Sequence, residues 1–498
     1  MTVSASATGE SQPLVRLELD KRAQSSIIYS EEGRSSSSST AYDSKQQQHE
    51  GSSIFQTALN ITKLCMGTGT LALPFAAEKG GLLFNVMGLA LIALWNYYCA
   101  NCILRCRDLL HPKAAKPGEG VESNSTTASQ QHFHQQQVYY GSNMESHEHN
   151  EYSLNENRTT PPDGTTSYGE IAWYASGSIG LLSVDLLMLL LSVMLIIAYE
   201  VAMISFIDSM PITTGSRKID IIIPSIIVAL LSCSPDVSFL TKFSIFGLMA
   251  LTLSFSVIMW QGLAENGLSG FQSTLNLWPR DLSDASSWFG VVVFGYGVVP
   301  FILNFRESMA IPNHVGSATK VGLVLVFLAY VVMSNFVRIL FSPTHTFNGD
   351  VLQALPKSSW IALTVRLLMT FVISVTAPLI VVPCGEMIEG KLGVGIDEMS
   401  KRIAIRLLLC ILCTVVSEYA PGFVHLVSFM GCFCVSITSF VLPPLFCIQL
   451  RNKRREGDSS TTKVDFVSYC DLGFLVFGIL TTILTSIMTF GDLRRSDQ

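Results

Sequence analysis

Charged residues are scarce in this sequence. Asp, Glu, Lys and Arg make up 14% of its 498 positions, whereas hydrophobic residues make up 49%. Because soluble domains carry about 25% charged residues, this composition excludes an ordinary soluble protein and indicates a membrane protein. The first 50 residues also lack the apolar core of about 7 to 15 residues that a cleaved signal peptide needs. The first membrane helix is therefore expected to direct insertion itself.

Recognisable catalytic constellations are also missing. The sequence shows no Ser-His-Asp arrangement and no phosphate-binding P-loop. Nearly all of its twelve cysteines lie in apolar runs or at their ends, including the C-x-x-C pairs Cys99/Cys102 and Cys410/Cys413. A zinc site needs four converging ligands, and these pairs are better explained as small core residues. We therefore expect no enzyme activity, no metal site and no bound cofactor.

Long apolar runs occupy most of the chain. At about 20 residues for each bilayer crossing, these runs are long enough to be transmembrane helices. The predicted spans are residues 54–77, 82–106, 179–209, 219–235, 240–263, 286–306, 318–341, 358–384, 402–420, 423–450 and 468–490. The predicted class is an all-α integral membrane protein with about eleven transmembrane helices.

Two polar segments precede and interrupt these helices. Residues 1–53 are biased towards Ser and Gln, and residues 110–170 are rich in Gln, His, Ser and Asn. Such segments bury too little apolar surface to offset the entropy of ordering their backbone. We predict a disordered tail over 1–53, a membrane domain over 54–490 with a low-complexity loop at 110–170, and a short C-terminal tail over 491–498.

The distribution of Lys and Arg predicts the orientation, because cytosolic loops carry an excess of both. With a cytosolic N-terminus, the inner segments hold 22 of these residues, counting those at helix ends, and the outer segments hold seven. The run Arg451, Lys453, Arg454 and Arg455 falls in a short loop, where the rule is most reliable. We therefore place the N-terminus, the 1–53 tail and the 110–170 loop in the cytosol and the C-terminus outside. The plasma membrane and a vacuolar or lysosomal membrane both remain open.

The first predicted helix contains the sequence Gly67-Thr68-Gly69-Thr70 in the middle of its apolar run. Two glycines weaken a helix, and unwound backbone in a membrane must face protein or a wet cavity. The new helix N-terminus presents free amides to an anion such as a carboxylate. The alternative is that these small residues only allow a neighbouring helix to pack closely.

The sixth predicted helix contains a second interruption, Phe294-Gly295-Tyr296-Gly297, with Pro300 shortly after it. It lies five helices after the first interruption and runs in the opposite direction. This relation is typical of an inverted repeat of five plus five helices. The two interruptions together predict a substrate site at the membrane midplane. Its predicted residues are Gly67, Thr68, Gly69, Thr70, Phe294, Gly295 and Tyr296.

With these features the chain resembles the amino acid/auxin permease family, which includes vesicular, proton-assisted and sodium-coupled neutral amino acid transporters. The resemblance covers about residues 54–490, apart from the inserted loop. It rests on Asn60 to Pro74, Phe294 to Pro300, Arg366, Pro378 to Pro383, Ser428 to Gly431 and Leu442 to Phe446. It implies eleven helices, a cytosolic N-terminus and a fold similar to that of the bacterial sodium-coupled leucine transporter, with helix eleven outside the two repeats.

Lys63 lies about nine residues, or about 14 Å, into the first predicted helix, and ionisable residues at such depth are commonly functional. Sodium-coupled members of the family commonly carry Asn at this position. The resemblance therefore implies that the Lys63 ammonium replaces a cation, which favours proton coupling or no coupling. Glu200 is the candidate carboxylate of this coupling-ion or charge site. The alternative is that Lys63 is structural and is paired with Glu200 or hydrogen-bonded to backbone carbonyls. Ser374 and Thr376 are candidates to complete this ion site, although such hydroxyls often bond back to their own helix.

The predicted function is a secondary active transporter, or symporter, that moves amino acids by alternating access, with H+ as the possible coupling ion. The alternative is an amino-acid sensor that signals through its cytosolic tail and loop. The expected partners are a small amino acid substrate and the lipid bilayer, with no nucleic acid. Protein partners, the substrate side chain and the direction of flux are left open.

The predicted orientation can be tested with two glycosylation sequons, Asn124-Ser-Thr126 and Asn157-Arg-Thr159. Both lie in the loop that we place in the cytosol, where N-glycosylation does not occur. We expect glycosidase treatment to leave the electrophoretic mobility of the expressed protein unchanged. A mobility shift that disappears when Asn124→Gln and Asn157→Gln are combined would show that the orientation is reversed.

Overall fold

Helices account for all regular secondary structure that the computed structural model describes, apart from one isolated bridge between Ser52 and Met309. The described residues are 51–110, 160–162, 164–211, 213–233, 238–267, 275–342, 347, 349–356, 359–395, 397–457 and 466–496. Residues 1–50 of the predicted 1–53 tail, most of the 110–170 loop and both loop sequons therefore lie outside the described residues, whereas residues 51–53 are described.

The longer helical segments of the described residues are labelled α1 to α11 in chain order, and the short helices Arg217–Asp220, Pro312–His314 and Val351–Ala354 lie between them. Several contain an interruption or a π-helical turn, at which the range is divided below. In order they are α1 (Ile54–Cys65, Thr68–Ala72, Leu73–Gly80), α2 (Leu82–Leu110), α3 (Ser167–Asp208), α4 (Ile222–Ser232), α5 (Ser238–Asn266), α6 (Leu282–Gly295, Val299–Phe301, Ile302–Ser308), α7 (Val315–Val331, Val332–Phe336, Val337–Phe341), α8 (Trp360–Thr376, Pro378–Lys391), α9 (Met399–Tyr419), α10 (Phe423–Met430, Gly431–Val435, Ile437–Val441, Leu442–Gly457) and α11 (Phe466–Ser496).

Eight of these segments are long and apolar enough to cross a membrane, counted over the described part of the chain: α2, α3, α5, α6, α7, α8, α10 and α11. This confirms an all-α, multi-pass membrane protein. The other three predicted spans differ from these eight in identifiable ways. The α1 segment is divided into short pieces, α4 has 11 residues, and α9 carries Lys401, Arg402, Arg406 and Glu418.

Several helix ends differ from the predicted ones, including the start of α3 and the end of α11. Gly177, with φ +66° and ψ −150°, breaks the Ser167–Asp208 segment just before the predicted start at 179. The part before this break begins at Ser167, where Thr166 accepts a hydrogen bond from the Gly169 amide and the Tyr168 hydroxyl donates to the Thr438 carbonyl. Hydropathy cannot detect such polar anchors. The α11 helix continues to Ser496, so most of the predicted tail at 491–498 is helical.

The α1 helix is interrupted where the glycines predict. Its first part begins with a capping box, in which the Ser53 side chain accepts a hydrogen bond from the Gln56 amide and the Gln56 side chain accepts one from the Ser53 amide. This part ends at Cys65. The chain then passes through Met66 and Gly67 into the short 3-10 turn that begins at Thr68. The α6 helix is interrupted in a similar way between Gly295 and Val299.

The helices around α6 pack through glycines. A Cβ at Gly431 of α10 would lie 1.8 Å from the Gly290 carbonyl oxygen, and one at Gly290 would lie 2.0 Å from the Ser428 carbonyl oxygen. On the other side of α6, a Cβ at Gly80 or Gly88 would collide with the Trp288 ring. Small residues commonly allow such close approach between membrane helices. The α6 helix is thereby held against α10, the last part of α1 and α2.

Two buried carboxylates in the helix bundle, Asp471 and Glu389, are paired with guanidinium groups. Asp471 of α11 is fully buried and lies 3.0 Å from both Arg105 and Arg451. Glu389 of α8 is 4% exposed and binds Arg402 at 2.7 Å and Arg406 at 3.1 Å. Charges removed from water are tolerated when they are paired and hydrogen-bonded in this way. These clusters link α11 to α2 and α10, and α8 to α9.

The contact between α6 and α10 leads to a stability prediction. Gly431→Ala should lower the melting temperature of the detergent-purified protein, because overpacking costs about 1–3 kcal/mol and the obstructing atoms belong to backbone. The control is Gly473→Ala on α11, where an added Cβ meets no atom within 4 Å. Equal melting temperatures for the two variants would contradict this packing.

Candidate functional site

A cavity of about 110 Å³ lies against the interruption in α1. Four helices contribute to its wall, namely α1, α3, α5 and α8. The lining residues are Lys63, Met66, Gly67, Thr68, Tyr199, Gly247, Leu248, Leu251, Met369, Val372 and Thr376. Four of the residues predicted from sequence, Lys63, Gly67, Thr68 and Thr376, therefore share one cavity.

The interruption leaves backbone amides without partners. The amides of Gly67, Thr68 and Gly69 have no acceptor within the described ranges. Thr70 instead stabilises the turn, because its amide and its hydroxyl both donate to the Gly67 carbonyl, at 3.1 and 2.7 Å. Unpaired amides inside a membrane protein are costly. They are suited to receive an anionic group.

The two interruptions are in direct contact. A Cβ at Gly69 would lie 2.6 Å from Cε1 of Phe294, so the Phe294 ring packs on the Gly69 backbone. The Tyr330 hydroxyl of α7 lies 2.7 Å from the Cys65 carbonyl oxygen and 2.9 Å from the Gly295 carbonyl oxygen. The single Tyr330 proton can be donated to either of these carbonyls, which lie at the ends of the two broken helices.

Two of the α6 residues predicted at the substrate site, Phe294 and Gly295, have carbonyls that already accept internal hydrogen bonds. The Phe294 carbonyl accepts from the Gly297 amide at 3.2 Å, and the Gly295 carbonyl is bound by Tyr330. Tyr296 is fully buried, and its hydroxyl has no hydrogen-bond partner in the part of the chain that the structure describes. Its ring lies 5.1 Å from that of Tyr330, measured between centroids. None of these three residues lines the cavity.

Lys63 lies on the cavity wall with Thr376, as the proposed ion site requires. No ion pair or hydrogen bond of Lys63 occurs within the described ranges. The Thr376 hydroxyl donates to the Val372 carbonyl at 2.8 Å. Ser374 is turned away towards α3, where its hydroxyl contacts Met203 and donates to the Thr370 carbonyl. Both hydroxyls thus bond back to their own helix.

The structure does not bring Glu200 to Lys63. The carboxylate is 1% exposed and is bound by Thr414 and Ser417 of α9. Adjacent helical residues point about 100° apart, so Tyr199 reaches the cavity and its hydroxyl bonds to Thr68, whereas Glu200 faces α9. The suggested Lys63–Glu200 pair is therefore absent from this structure.

Several cavity residues were not predicted from the sequence. They are Met66, Tyr199, Gly247, Leu248, Leu251, Met369 and Val372. Most are apolar residues in apolar helices, and nothing local distinguishes them from core or lipid-facing positions. Only Tyr199, which places a hydroxyl next to Glu200 in a strongly apolar helix, gave a usable signal.

The connection between α7 and α8 packs against the α1 interruption, since Val351–Ala354 contacts Thr68–Ala72. Arg366 of α8 holds this connection by donating to the Leu352 and Leu355 carbonyls, at 3.1 and 2.7 Å. Asp350 accepts hydrogen bonds from Ser205 and Gln353. Burial raises the pKa of Asp350, although these hydrogen bonds act in the opposite direction. The α1 turn is therefore covered on this side.

The helices and the two interruptions define a multi-pass, all-α membrane protein of the kind that encloses a solute site. The sequence model of the family described as "transmembrane amino acid transporter protein" matches residues 50–142 and 152–490. This chain belongs to that family, which confirms the resemblance found in the sequence. It is also 23% identical over 460 residues to "amino acid transporter ANT1" of Arabidopsis thaliana, in an alignment that covers 87% of this chain and 92% of that protein. The family consists of transporters, so the chain is not an enzyme.

The cavity can be tested at Gly67. Its backbone is extended, with φ −90° and ψ −166°, and an added Cβ would meet only the Leu64 carbonyl oxygen, at 3.9 Å. Gly67→Val should therefore fold and fill the cavity. Losing hydrogen bonds to a charged ligand costs roughly 1.5–3 kcal/mol, so we expect ligand affinity to fall by about 10- to 150-fold.

The measurement is amino acid binding to the purified protein, with Gly67→Ala as the matched control of intermediate size. Gly69→Val is a poorer test because its side chain collides with Phe294 and disturbs packing. Unchanged affinity in a well-folded Gly67→Val protein would exclude the cavity as the binding site.

Proposed function

We propose that this protein is a secondary active transporter that moves amino acids across a membrane by alternating access. In this proposal α1 to α10 form two inverted repeats of five helices, as in the leucine-transporter fold, and α11 lies outside them. The proposal is supported by the interruptions in α1 and α6, which are five helices apart and contact each other through Gly69 and Phe294. Inverted repeats place their substrate at such paired interruptions.

The observation that carries the proposal is the group of unpaired amides at Gly67, Thr68 and Gly69. We assign the substrate carboxylate to these amides, in line with the preference of helix N-termini for anions. We assign the α-amino group to the Phe294 and Gly295 carbonyls. Each carbonyl oxygen has two lone pairs, so an ammonium group can bind beside the donor that is already present.

We further propose that coupling uses protons or is absent, and that sodium is not required. The supporting observation is that Lys63 lies on the cavity wall beside Thr376 without an anionic partner among the described residues. A lysine ammonium supplies the positive charge that a bound sodium ion would otherwise bring. The proposal includes a cytosolic N-terminus. Both the plasma membrane and a vacuolar or lysosomal membrane remain open.

Transport itself is tested with purified protein in proteoliposomes and a panel of radiolabelled amino acids. We expect uptake of at least one amino acid above protein-free liposomes, and loss of that uptake in Gly67→Val. The sensor alternative gives a different result, because a sensor binds an amino acid without moving it. Binding by the purified protein with no uptake of any amino acid would replace the transporter proposal with the sensor.

The ion requirement is tested at Lys63. Replacing external sodium with choline at fixed pH should leave wild-type uptake unchanged, because the ammonium already occupies the cation position. Lys63→Ala should weaken the pH dependence of uptake, and Lys63→Arg should slow turnover, because a guanidinium stays charged at all accessible pH values. A large loss of wild-type uptake in choline would mean that Lys63 is structural and that a sodium site lies elsewhere.

A further inference from the structure

Glu200 is a buried carboxyl group in the middle of the membrane domain that the cavity does not use. It is 1% exposed and lies on α3 one residue after the cavity residue Tyr199. Its Oε1 is 3.0 Å from the Thr414 hydroxyl, and its Oε2 is 3.1 Å from the Ser417 hydroxyl. Both hydroxyls belong to α9, so this acid lies between α3 and α9.

Two other buried acids on the long helices have a different environment. Asp471 and Glu389 each contact two arginines, as described above. Glu200 has no cationic partner within the described ranges, and its only hydrogen-bond partners there are two neutral hydroxyls. An ionised carboxylate without a counter-charge is expensive to bury. The contrast indicates that Glu200 is neutral in this conformation.

The hydrogen-bond geometry also favours a protonated carboxyl group. The Thr414 hydroxyl lies 2.9 Å from the Cys410 carbonyl as well as near Glu200, and the Ser417 hydroxyl lies 2.8 Å from the Thr414 carbonyl as well as near Glu200. Each hydroxyl has one proton, so the two hydroxyls together can donate only two hydrogen bonds, although four oxygen atoms lie within hydrogen-bond distance of them. A proton on Glu200 supplies a third donor. The carboxyl group can then donate to one hydroxyl, which in turn donates to its backbone carbonyl.

Within the described part of the chain, no charged group near this site supplies the counter-charge. The thiols of Cys410 and Cys413 on α9 are close enough to interact electrostatically with Glu200, and Cys384 of α8 interacts with both thiols. The charged or titratable side chains on the packed helices contact other groups. Arg406, Lys218 and Lys391 form ion pairs with Glu389, Glu418 and Asp185, respectively. Arg366 donates to the Ser209 carbonyl, and the His425 ring packs against Phe75.

We propose that Glu200, held by Thr414 and Ser417, is a proton-binding site that takes up and releases H+ during the transport cycle. This proposal rests on the proposed transport function and names the group that carries the coupled proton. Helix α3 connects this site to the substrate cavity, because Tyr199 lines the cavity and bonds to Thr68 at the α1 interruption. A change in the charge of Glu200 acts one residue away from that contact.

The protonation state can be measured without transport. Infrared spectra of the purified protein in an ester-free detergent should contain a carboxylic acid C=O band at neutral pH that shifts on H/D exchange. The band should vanish in Glu200→Gln, which keeps the side-chain size and remains neutral, and should change frequency in Thr414→Ala. Identical bands in wild type and Glu200→Gln would overturn the proposal.

The coupling role is measured in proteoliposomes with an imposed pH gradient. For one proton per substrate, accumulation should rise by about tenfold per unit of pH gradient. Glu200→Gln should retain exchange of labelled for unlabelled amino acid and lose this gradient-driven accumulation. The control is Asp185→Asn, which lies on α3 like Glu200 and removes a partly exposed ion pair with Lys391 of α8. This variant should accumulate substrate as wild type does.

The outcomes separate this inference from the proposed function. Gradient-driven accumulation by Glu200→Gln equal to wild type would overturn the coupling role. If the wild-type protein shows the Glu200 band but neither exchanges nor accumulates any amino acid, the proposed transport function is wrong, whereas the conclusion that Glu200 is protonated stands. A protein that transports with no Glu200 band would keep the transport function and overturn the proton site.

Discussion

The structure depends on how it satisfies the backbone groups that two broken membrane helices expose. Hydrocarbon offers no hydrogen-bond partner, so each unwound residue must find one within the protein or in a wet cavity. The Tyr330 hydroxyl lies within hydrogen-bond distance of both the Cys65 and the Gly295 carbonyls. The amide and the hydroxyl of Thr70 both donate to the Gly67 carbonyl. The carbonyls at these turns are therefore satisfied internally, whereas three amides of α1 are not. This asymmetry is the reason for proposing that the α1 turn binds an anion.

The same constraint explains the close helix packing around α6. Tyr330 can reach both interruptions only if α1, α6 and α7 lie near one another. Glycines permit this approach: Gly322 of α7 packs on Ile61 of α1, and Gly69 packs on the Phe294 ring. The Gly290 and Gly431 backbones bring α10 equally close to α6. Glycine thus has two distinct roles here, since some positions loosen a helix and others allow helices to touch.

Much of this arrangement could be predicted from the sequence. Hydropathy located the helical segments, because apolar length is a property of each run alone. Gly67, Gly69 and Gly295 marked the interruptions, because glycine weakens helices wherever they lie. The shared cavity of Lys63 and Thr376 also agrees with the sequence interpretation. These features depend on local composition or on a resemblance between whole helices.

The directions of individual side chains could not be predicted. Whether Glu200 meets Lys63 or Thr414 depends on the rotation of α3 by a fraction of a turn, and Thr414 lies 214 positions away in the sequence. Arg338 likewise binds Glu78 at a separation of 260 positions. Hydropathy does not encode helix rotation when all faces are apolar, as they are in most of α3.

The unexpected direction of Glu200 changes how charge is distributed in the protein. If Lys63 and Glu200 formed a pair, their charges would cancel and the cavity would be neutral. Their separation leaves a lysine ammonium at the cavity and a carboxyl group among hydroxyls at α9. A cation beside unpaired amides strengthens the attraction for a carboxylate, because both favour negative charge. In the proposed mechanism the acid titrates on its own, and α3 links the two sites, because Tyr199 lines the substrate cavity and Glu200, pointing about 100° away on the same helix, faces α9.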